Sequence, residues 1–268
     1  MSTEHADTPA AAGAATHRSR GGLLFLRDVV VIVVIAIVAS FLLKTFFVRS
    51  FYIPSASMEN TLQINDRILV DEITPRFGGY HRGDVVVFSD PGGWLPVPPA
   101  SPPKPWIAQV ADSALTFVGL STADSDDHLV KRVIGLPGDH VQCCNALGQL
   151  SVNGTPVDET SYVKLQPGES APQPVPFNVT VPKDSLWVLG DNRDESRDSR
   201  YNQNDPGKGF VPMSDVVGRA FLITWPFDRF GLIGTHSSAF AGVPGPTGTA
   251  SSGTPGARSV APSVPAYR

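Results

Sequence analysis

The longest apolar run of the chain lies close to its start. Residues 29–43 are apolar except for Ser40, and the run resumes after Lys44 and ends at Val48. About 20 residues of α-helix span roughly 30 Å, which matches the hydrocarbon thickness of a bilayer. The pattern therefore predicts one N-terminal transmembrane helix, an anchor over residues 23–48.

Two other structures compete with a permanent anchor. A buried soluble helix is rarely apolar on all faces over this length. A cleavable signal peptide is the stronger alternative, because Val38-Ala39-Ser40 places small residues at a spacing typical of a cleavage site. The apolar block is longer than a usual signal core and continues beyond these residues, which favours the uncleaved anchor.

The segments on either side of the anchor predict its orientation. Residues 1–22 have no periodic apolar face and are predicted to form a disordered cytoplasmic tail. No later run is long and apolar enough to span again, so we expect the chain after residue 50 to lie outside the cell. A small excess of basic residues before the span favours a cytoplasmic N-terminus; they are Arg18, Arg20 and Arg27, against Lys44 and Arg49 after it.

The chain after the anchor has the pattern of short β-strands. Gly, Pro, Asp and Asn separate brief apolar or β-branched runs, and Asn153-Gly154 is typical of a hairpin turn. No long amphipathic helix is apparent, so we predict a mostly β fold built from antiparallel sheet. Residues 237–268 are rich in Ser, Gly, Pro, Ala and Thr and predict a disordered C-terminal tail. The strand-like runs are residues 67–70, 84–88, 129–134, 140–142, 150–152, 177–181, 185–189 and 219–225.

Composition narrows the possible functions. A net charge of −4 argues against a nucleic-acid partner, because neutralising phosphates requires a basic surface. The two cysteines, Cys143 and Cys144, are adjacent, so the sequence has no disulfide framework and no spaced metal motif. A vicinal disulfide and two ordinary thiols both remain open.

Residues 91–127 form a Pro-rich stretch that contains several aromatic and apolar side chains. One interpretation is a loop that packs on the domain. The other is a surface that dips into the bilayer interface, where Trp is favoured. The side chains concerned are Trp94, Leu95, Trp106, Ile107 and Phe117.

Candidate chemistry begins directly after the anchor, in residues 51–62. Ser55 and Ser57 stand there among apolar side chains. A serine hydroxyl is a poor nucleophile until a neighbouring base takes its proton. The histidines lie in no triad-like local signature, and no G-x-S-x-G motif is present. The alternative base is a neutral lysine, which requires burial to lower its pKa.

Lys131 meets that requirement best, because it lies inside the apolar run 129–134. Strand alternation could equally place its side chain in water. A third stretch, residues 190–200, is rich in charged and small polar groups, a composition typical of a solvated loop. It directly follows the strand-like run 185–189, and a polar loop that leaves a buried strand can supply hydroxyls and ion pairs to a site.

Taken together, these stretches resemble the type I signal peptidase family, the bacterial leader peptidases with a Ser-Lys dyad. The match covers about residues 23–226 and leaves out both tails and residues 91–127. The anchor and five further motifs occur in the order found in the family. The five motifs are Ile-Pro-Ser-x-Ser-Met-x-x-Thr-Leu at 53–62, the strand at 66–70, Arg-Gly-Asp-Val-Val-Val-Phe at 82–88, Lys-Arg-x-x-Gly-x-Pro-Gly-Asp at 131–139 and Gly-Asp-Asn-Arg-Asp-x-Ser-x-Asp-Ser-Arg at 190–200.

The resemblance implies a role for each matching polar residue. Ser57 matches the nucleophile and Lys131 the general base, a variant of the catalytic triad. Ser55 matches the serine whose hydroxyl completes an oxyanion hole with the Ser57 amide. Ser196 matches the hydroxyl that orients the lysine side chain.

Two larger sets follow from the same resemblance. Structural ion pairs around the site are expected between Asp191 and Arg132 and between Asp198 and Arg200. Shallow apolar pockets for small substrate side chains are expected to be lined by Phe51, Ile53, Met58, Leu62, Leu129 and Val130.

The chain departs from the family pattern at four positions. Ala56 replaces a frequent Gly, Asn60 a frequent Pro, Asn65 a frequent Gly and Glu195 a frequent Asn. The first two lie on the stretch expected to face the substrate and could change its turn geometry. None of the four removes a group that does chemistry.

The resemblance also implies fold, activity and location. It implies an antiparallel catalytic domain over residues 49–236, with a smaller inserted β subdomain over about 137–182. The activity is that of a membrane-anchored serine endopeptidase of the bacterial cell membrane, which removes signal peptides by cutting after small residues. No metal or other cofactor is expected. The expected partners are exported preproteins and membrane lipids, close to the secretion translocon.

Two other functions fit the sequence less well. A self-cleaving Ser-Lys regulator would need a DNA-binding domain, and a transmembrane span with a short N-terminal tail fits poorly with one. A catalytically silent anchored scaffold for exported chains would have no need for Ser57, Lys131, Ser55 and Ser196 together.

Overall fold

The computed structural model describes residues 19–46, 48–95, 127–169, 172 and 174–246. The chain divides into two units, one ending at Phe47 and one beginning at Val48. In the first unit, helix α1 (Ser19–Phe46) begins three residues before the predicted end of the N-terminal tail at residue 22. The rest of that predicted tail lies outside the described residues. Within the part of the chain that the structure describes, no helix combines the length and apolarity needed to cross a membrane.

Among its described residues, the second unit has twelve strands, most of them short. Its one α-helix among the described residues is α2 (Thr74–Gly78). The strands are β1 (Val48–Tyr52), β2 (Arg67–Asp71), β3 (Val85–Ser89), β4 (His128–Gly135), β5 (His140–Cys143), β6 (Ser151–Val152), β7 (Thr155–Pro156), β8 (Phe177–Thr180), β9 (Ser185–Leu189), β10 (Val211–Pro212), β11 (Val216–Trp225) and β12 (Gly231–Leu232).

The strands form two sheets in which every pair is antiparallel. The larger has the order β1-β2-β11-β3-β4-β9-β10, with β12 also paired to β11. The smaller has the order β7-β6-β5-β8 and lies within the predicted range 137–182. The prediction of a mostly antiparallel β fold is confirmed.

Each predicted strand-like run contains a strand, and the predicted hairpin turn joins β6 to β7. Asn153 and Gly154 both have positive φ, 51° and 80°, as a two-residue turn between twisted strands requires. Sequence reasoning missed β1, β10 and β12. Strand β1 follows the apolar run directly, and the other two contain only two residues each, too few to show a period.

The apolar side chains that flank the two serines of residues 51–62 belong to a buried core. Phe51, Ile53 and Met58 are each no more than 3% exposed and pack with residues of β2, β3 and β11. Burial of each such side chain stabilises the fold by about 2 kcal/mol. The segment that carries Ser57 is therefore fixed to the large sheet by its apolar neighbours.

The described chain continues past the predicted start of the C-terminal tail at residue 237. Ser237–Phe240 form a 3-10 turn, and Phe240 is buried in the core of the small sheet. Further on, the Pro244 carbonyl accepts hydrogen bonds from Arg82 and Asn153 at 3.1 and 3.0 Å. The boundary at 237 is therefore too early, because one buried aromatic and these carbonyl contacts outweigh the polar composition. Residues 247–268 lie outside the described residues.

The start of the Pro-rich stretch 91–127 packs on the domain. Trp94 is buried and meets Phe88 edge to face, with ring centroids 5.7 Å apart. The Asp90 carboxylate accepts hydrogen bonds from the backbone N–H groups of Gly92, Trp94 and Leu95. Trp106, Ile107 and Phe117, on which the bilayer-interface interpretation also depends, lie outside the described residues.

Of the two states left open for the cysteines, the structure contains the disulfide between Cys143 and Cys144.

A glycine substitution tests how tightly the chain packs beside the large sheet. Gly83 has φ 92°, and a Cβ there would overlap the carbonyl oxygen of Thr235. We expect Gly83→Ala to lower the free energy of unfolding by roughly 3 kcal/mol, since backbone strain adds to overlap. Gly154→Ala is the control, because Gly154 has φ 80° but nothing within 4 Å of the added Cβ; we expect a loss of about 1 kcal/mol. Urea unfolding of both variants measures the difference, and equal losses would contradict the packing argument.

Candidate active site

Ser57 lies on a tight turn that follows β1. Ala56–Met58 form a single 3-10 turn in which Ser57 and Met58 are buried. Backbone hydrogen bonds from Ile53 N to Asp66 O and from Asn65 N to Ile53 O, both 2.9 Å, fix the chain leading into the turn. The Ser57 hydroxyl is thus held by backbone that is itself tied to the large sheet.

Lys131 lies in the middle of β4, opposite Val86 of β3. Its side chain is 3% exposed, because residues 131–135 of this strand are buried on both faces of the sheet. Alternation along the strand therefore does not place the side chain in water. The Nζ atom lies 2.7 Å from Ser57 Oγ and 3.1 Å from the Val130 carbonyl oxygen.

Burial changes the acidity of this lysine. Removal from water disfavours the ammonium form and lowers the pKa of Lys131 from 10.5 to about 8. The carboxylates of Asp198 and Asp191 act in the opposite direction, and the Arg200 guanidinium lowers the pKa further. A substantial fraction of Lys131 is consequently neutral near pH 8, and a neutral amine can accept a proton from a hydroxyl.

Ser55 lies beside the other two groups. Its hydroxyl oxygen is 3.3 Å from Ser57 Oγ, and its side chain is exposed where Ser57 is buried. The structure therefore brings together Ser55, Ser57 and Lys131, which are separated by up to 76 positions in the sequence.

Ser196 is buried next to the Ser57 turn but bonds to a different partner from the one expected. Its hydroxyl donates to Asp198 Oδ2 at 2.8 Å, and among the described residues no hydrogen bond joins it to Lys131. The absence of a side chain at Gly190 allows this approach, since a Cβ there would overlap both Ser196 Oγ and the Ser57 carbonyl oxygen. Ser196 is therefore linked to Lys131 through the Asp198 carboxylate, which acts on the pKa of the lysine.

Two buried ion pairs surround the lysine. Arg132 forms a bidentate pair with Asp191, at 2.8 and 2.6 Å, in which both side chains are fully buried. Arg200 forms a second bidentate pair with Asp198, at 2.8 and 2.9 Å. The Gly190 amide also donates to Asp198, at 3.0 Å. Each of the two carboxylates that act on the pKa of Lys131 is thus matched by a guanidinium.

A small cavity of about 170 Å³ opens beside the two serines. Leu62 does not line it and instead lies fully buried in the core of the large sheet. The chain segments on both sides of residues 96–126 also reach this cavity, through Leu95 and His128, and the His128 ring packs 5.2 Å from that of Phe51. The lining residues are Phe51, Tyr52, Ile53, Pro54, Ser55, Ser57, Met58, Leu95, His128, Leu129, Val130 and Lys131.

Sequence reasoning missed a third buried ion pair behind the loop of residues 190–200. Arg193 pairs with Glu159 at 2.5 and 3.1 Å, and Tyr162 donates to the same carboxylate at 2.7 Å. Glu159 and Tyr162 follow β7 in a polar stretch with no apolar period, so nothing in the local sequence indicates their burial. Asn192 was also missed; its amide donates to the Ser57 carbonyl at 3.1 Å.

Comparisons with known proteins identify the family of this chain. The family model described as signal peptidase, peptidase S26, matches residues 26–225. A probable signal peptidase I of Mycobacterium leprae (strain TN) is 37% identical over 257 residues, covering 85% of this chain and 85% of that protein. Signal peptidase I of Mycobacterium tuberculosis (strain CDC 1551 / Oshkosh) is 38% identical over 226 residues, covering 78% and 75%. Signal peptidase I U of Bacillus subtilis (strain 168) is 32% identical over 207 residues, covering 75% and 89%.

The matched region contains Ser57, Lys131 and the loop of residues 190–200, and it extends over three quarters of the chain. This chain therefore belongs to the S26 family of signal peptidases and is a signal peptidase enzyme.

Proposed function

We propose that this protein is a membrane-anchored serine endopeptidase that removes signal peptides from exported preproteins with a dyad of Ser57 and Lys131. The observation that carries the proposal is the 2.7 Å separation between Lys131 Nζ and Ser57 Oγ, in a site where both residues are buried. A lysine that is buried beside a serine hydroxyl, with a pKa lowered to about 8, has the properties of a general base.

In the proposed reaction, the neutral amine of Lys131 takes the proton of Ser57 as Oγ attacks the carbonyl carbon of the scissile bond. The resulting ammonium group then gives this proton to the departing amide nitrogen, and an acyl-enzyme ester remains on Ser57. Lys131, again neutral, takes a proton from the water that attacks the ester carbonyl, and the ammonium group returns it to Ser57 Oγ as the bond between Oγ and the acyl carbon breaks and the carboxylic acid product leaves. The protein's own groups thus supply each proton transfer.

The negative charge that develops on the carbonyl oxygen requires hydrogen-bond donors. We assign this role to the Ser57 amide and the Ser55 hydroxyl. The 3.3 Å between the two hydroxyl oxygens supports the assignment, because it places Ser55 within reach of an oxygen attached to the carbon under attack.

Substrate binding by strand addition is supported by the edge of β4. Pairing between β4 and β9 begins at Arg132. Residues 128–130 of β4 therefore have no strand partner on that side within the described part of the chain. An extended peptide can add to such an edge, with alternate side chains entering pockets. The cavity of about 170 Å³ suits small side chains, which supports cleavage after small residues.

The membrane anchor is the remaining part of the proposal. The apolar side chains of α1 from Leu24 to Ile37 are exposed, including Phe25 at 71% and Ile32 at 66%. We propose that α1 lies in the cell membrane, with the N-terminus cytoplasmic and the chain from Val48 outside. Contact with lipid near the secretion translocon would raise the effective concentration of preproteins, because both partners then share one surface.

Removal of either dyad group should abolish cleavage. We expect Ser57→Ala and Lys131→Ala to lower kcat for a preprotein by at least about 10³-fold, since each variant lacks the nucleophile or its base. The matched control is Lys183→Ala, at an exposed lysine outside the site, which should cleave like wild type. Gel analysis of preprotein processing measures the effect, and unchanged cleavage by either dyad variant would refute the assignment.

The pH dependence of the rate should follow the charge of Lys131. Protonation removes the base, so kcat/KM should fall on the acid side of the pKa and reach a plateau above it. With a pKa of about 8, we expect a decrease of about tenfold per pH unit below pH 7. Rates measured with a peptide substrate from about pH 6 to 9.5 give the profile. A flat profile across this range would contradict a lysine base.

The full-length protein should behave as an integral membrane protein. We expect it to stay with membranes through an alkaline carbonate wash. A variant with Ile32→Lys and Ile35→Lys should be released, because each lysine near the centre of a span costs about 3 kcal/mol. Protease treatment of intact cells should digest an epitope after residue 246 and spare one before residue 19. Release of the wild-type protein, or the reverse digestion pattern, would overturn the anchor or its orientation respectively.

A further inference from the structure

The two residues after Met58 attach the Ser57 turn to a distant part of the chain. We call residues 159–164, which lie between β7 and β8, the bracket segment. Lys164 Nζ in this segment donates to Glu59 Oε2 at 2.6 Å. Asn60 Nδ2 donates to the Tyr162 carbonyl at 2.9 Å and to the Val163 carbonyl at 3.4 Å. A turn directly attached to the nucleophile is thus held by residues about 100 positions away.

Asn60 makes these contacts from an unusual backbone conformation. Its φ is 95°, a region that asparagine tolerates better than most residues with a Cβ and that the ring of proline excludes. The side-chain amide is the donor in both contacts. The conformation and the hydrogen bonds together set the path of the chain immediately after Met58.

The bracket segment is itself fixed from the opposite side. The Lys164 amide donates to the Asp191 carbonyl at 2.9 Å. The Glu159 carboxylate pairs with the buried Arg193 guanidinium. The Tyr162 ring packs 4.6 Å from the guanidinium carbon of Arg132. These contacts leave the segment little freedom to follow a movement of the Ser57 turn.

The loop of residues 190–200, to which the bracket segment is bonded, also contacts the Ser57 turn directly. The Asn192 amide donates to the Ser57 carbonyl, and the Asn192 side chain donates to the Ala56 carbonyl, each at 3.1 Å. Asn192 therefore holds the carbonyls of the Ser57 turn by hydrogen bonds. The bracket segment bonds to the two residues that follow Met58.

We propose that Glu59 and Asn60 are positioning residues for Ser57, and that the bracket segment gives the small sheet's subdomain a part in aligning the nucleophile with its base. The inference rests on the proposed roles of Ser57 and Lys131. The side chains of Lys164 and Glu59 are 35% and 22% exposed, and pairs exposed to this degree contribute little to global stability. A displacement of about 1 Å at a reacting group, in contrast, can lower a rate by about a hundredfold.

A charge exchange tests the ion pair. Glu59→Lys and Lys164→Glu each place like charges together, and each should lower kcat about tenfold, with KM changed less than about twofold. The double variant restores opposite charges and should recover kcat to within about threefold of wild type. Recovery is incomplete because Asp194 and Glu195 also face position 164. Lys183→Glu, the same reversal at an exposed lysine, is the control and should cleave like wild type.

Melting temperatures of wild type and of these four variants separate positioning from folding. We expect the single variants to melt within a few degrees of wild type, because the pair is partly exposed. A double variant no faster than the slower single variant, single variants within twofold of wild-type kcat, or losses of kcat that parallel losses of stability would each overturn the proposal.

Asn60 provides an independent measurement of the same role. Asn60→Asp keeps the size and backbone tolerance of the side chain but turns an acceptor toward two carbonyl oxygens, so we expect about a tenfold lower kcat. Wild-type kcat in this variant would remove Asn60 from the proposal. Ser57→Ala is measured alongside: cleavage by it would refute the proposed function, whereas failure of charge exchange in an otherwise Ser57-dependent enzyme would refute only the positioning role.

Discussion

The burial of one lysine is the constraint on which the rest of this site depends. An ammonium group removed from water is costly, and the protein reduces that cost by shifting the equilibrium toward the neutral amine. The same burial places the Nζ of Lys131 2.7 Å from the Ser57 hydroxyl. Stability and proposed reactivity are therefore coupled: a more solvated lysine would cost the fold less but would remain protonated at neutral pH.

The surrounding ion pairs make sense in relation to that constraint. Asp191 and Asp198 both favour the charged form of Lys131, and two uncompensated carboxylates would raise its pKa. Arg132 and Arg200 pair with them through bidentate contacts. The Ser196 hydroxyl and the Gly190 amide also donate hydrogen bonds to Asp198. Asp198 and Asp191 still raise the pKa of Lys131, and burial outweighs them, so the pKa remains lowered.

Much of this arrangement could be predicted from local sequence, and the part that could not has a common physical cause. Strands β2 to β6, β8, β9 and β11 coincide with apolar runs because burial and backbone pairing act over a few neighbouring residues. The expected dyad groups could be named from their motifs. The position of Leu62 in the core, the bond of Ser196 to Asp198 and the burial of Glu159 depend instead on contacts made only after the chain has folded.

The same distinction explains why the small sheet matters to the site. Its strands share a buried core with Ile134, Trp187 and Leu189 of the large sheet, and no residue of the Ser57 turn belongs to that core. The chain between β7 and β8, however, also contacts the site. Lys164 pairs with Glu59 just after the Ser57 turn, and Glu159 pairs with Arg193 in the loop of residues 190–200. Tyr162 donates to Glu159 and packs against Arg132 of β4. The pair of Lys164 with Glu59 is partly exposed and contributes little to stability. Such contacts are better understood as geometric constraints: they limit how far Ser57 can move from a base whose own position is fixed by the sheet.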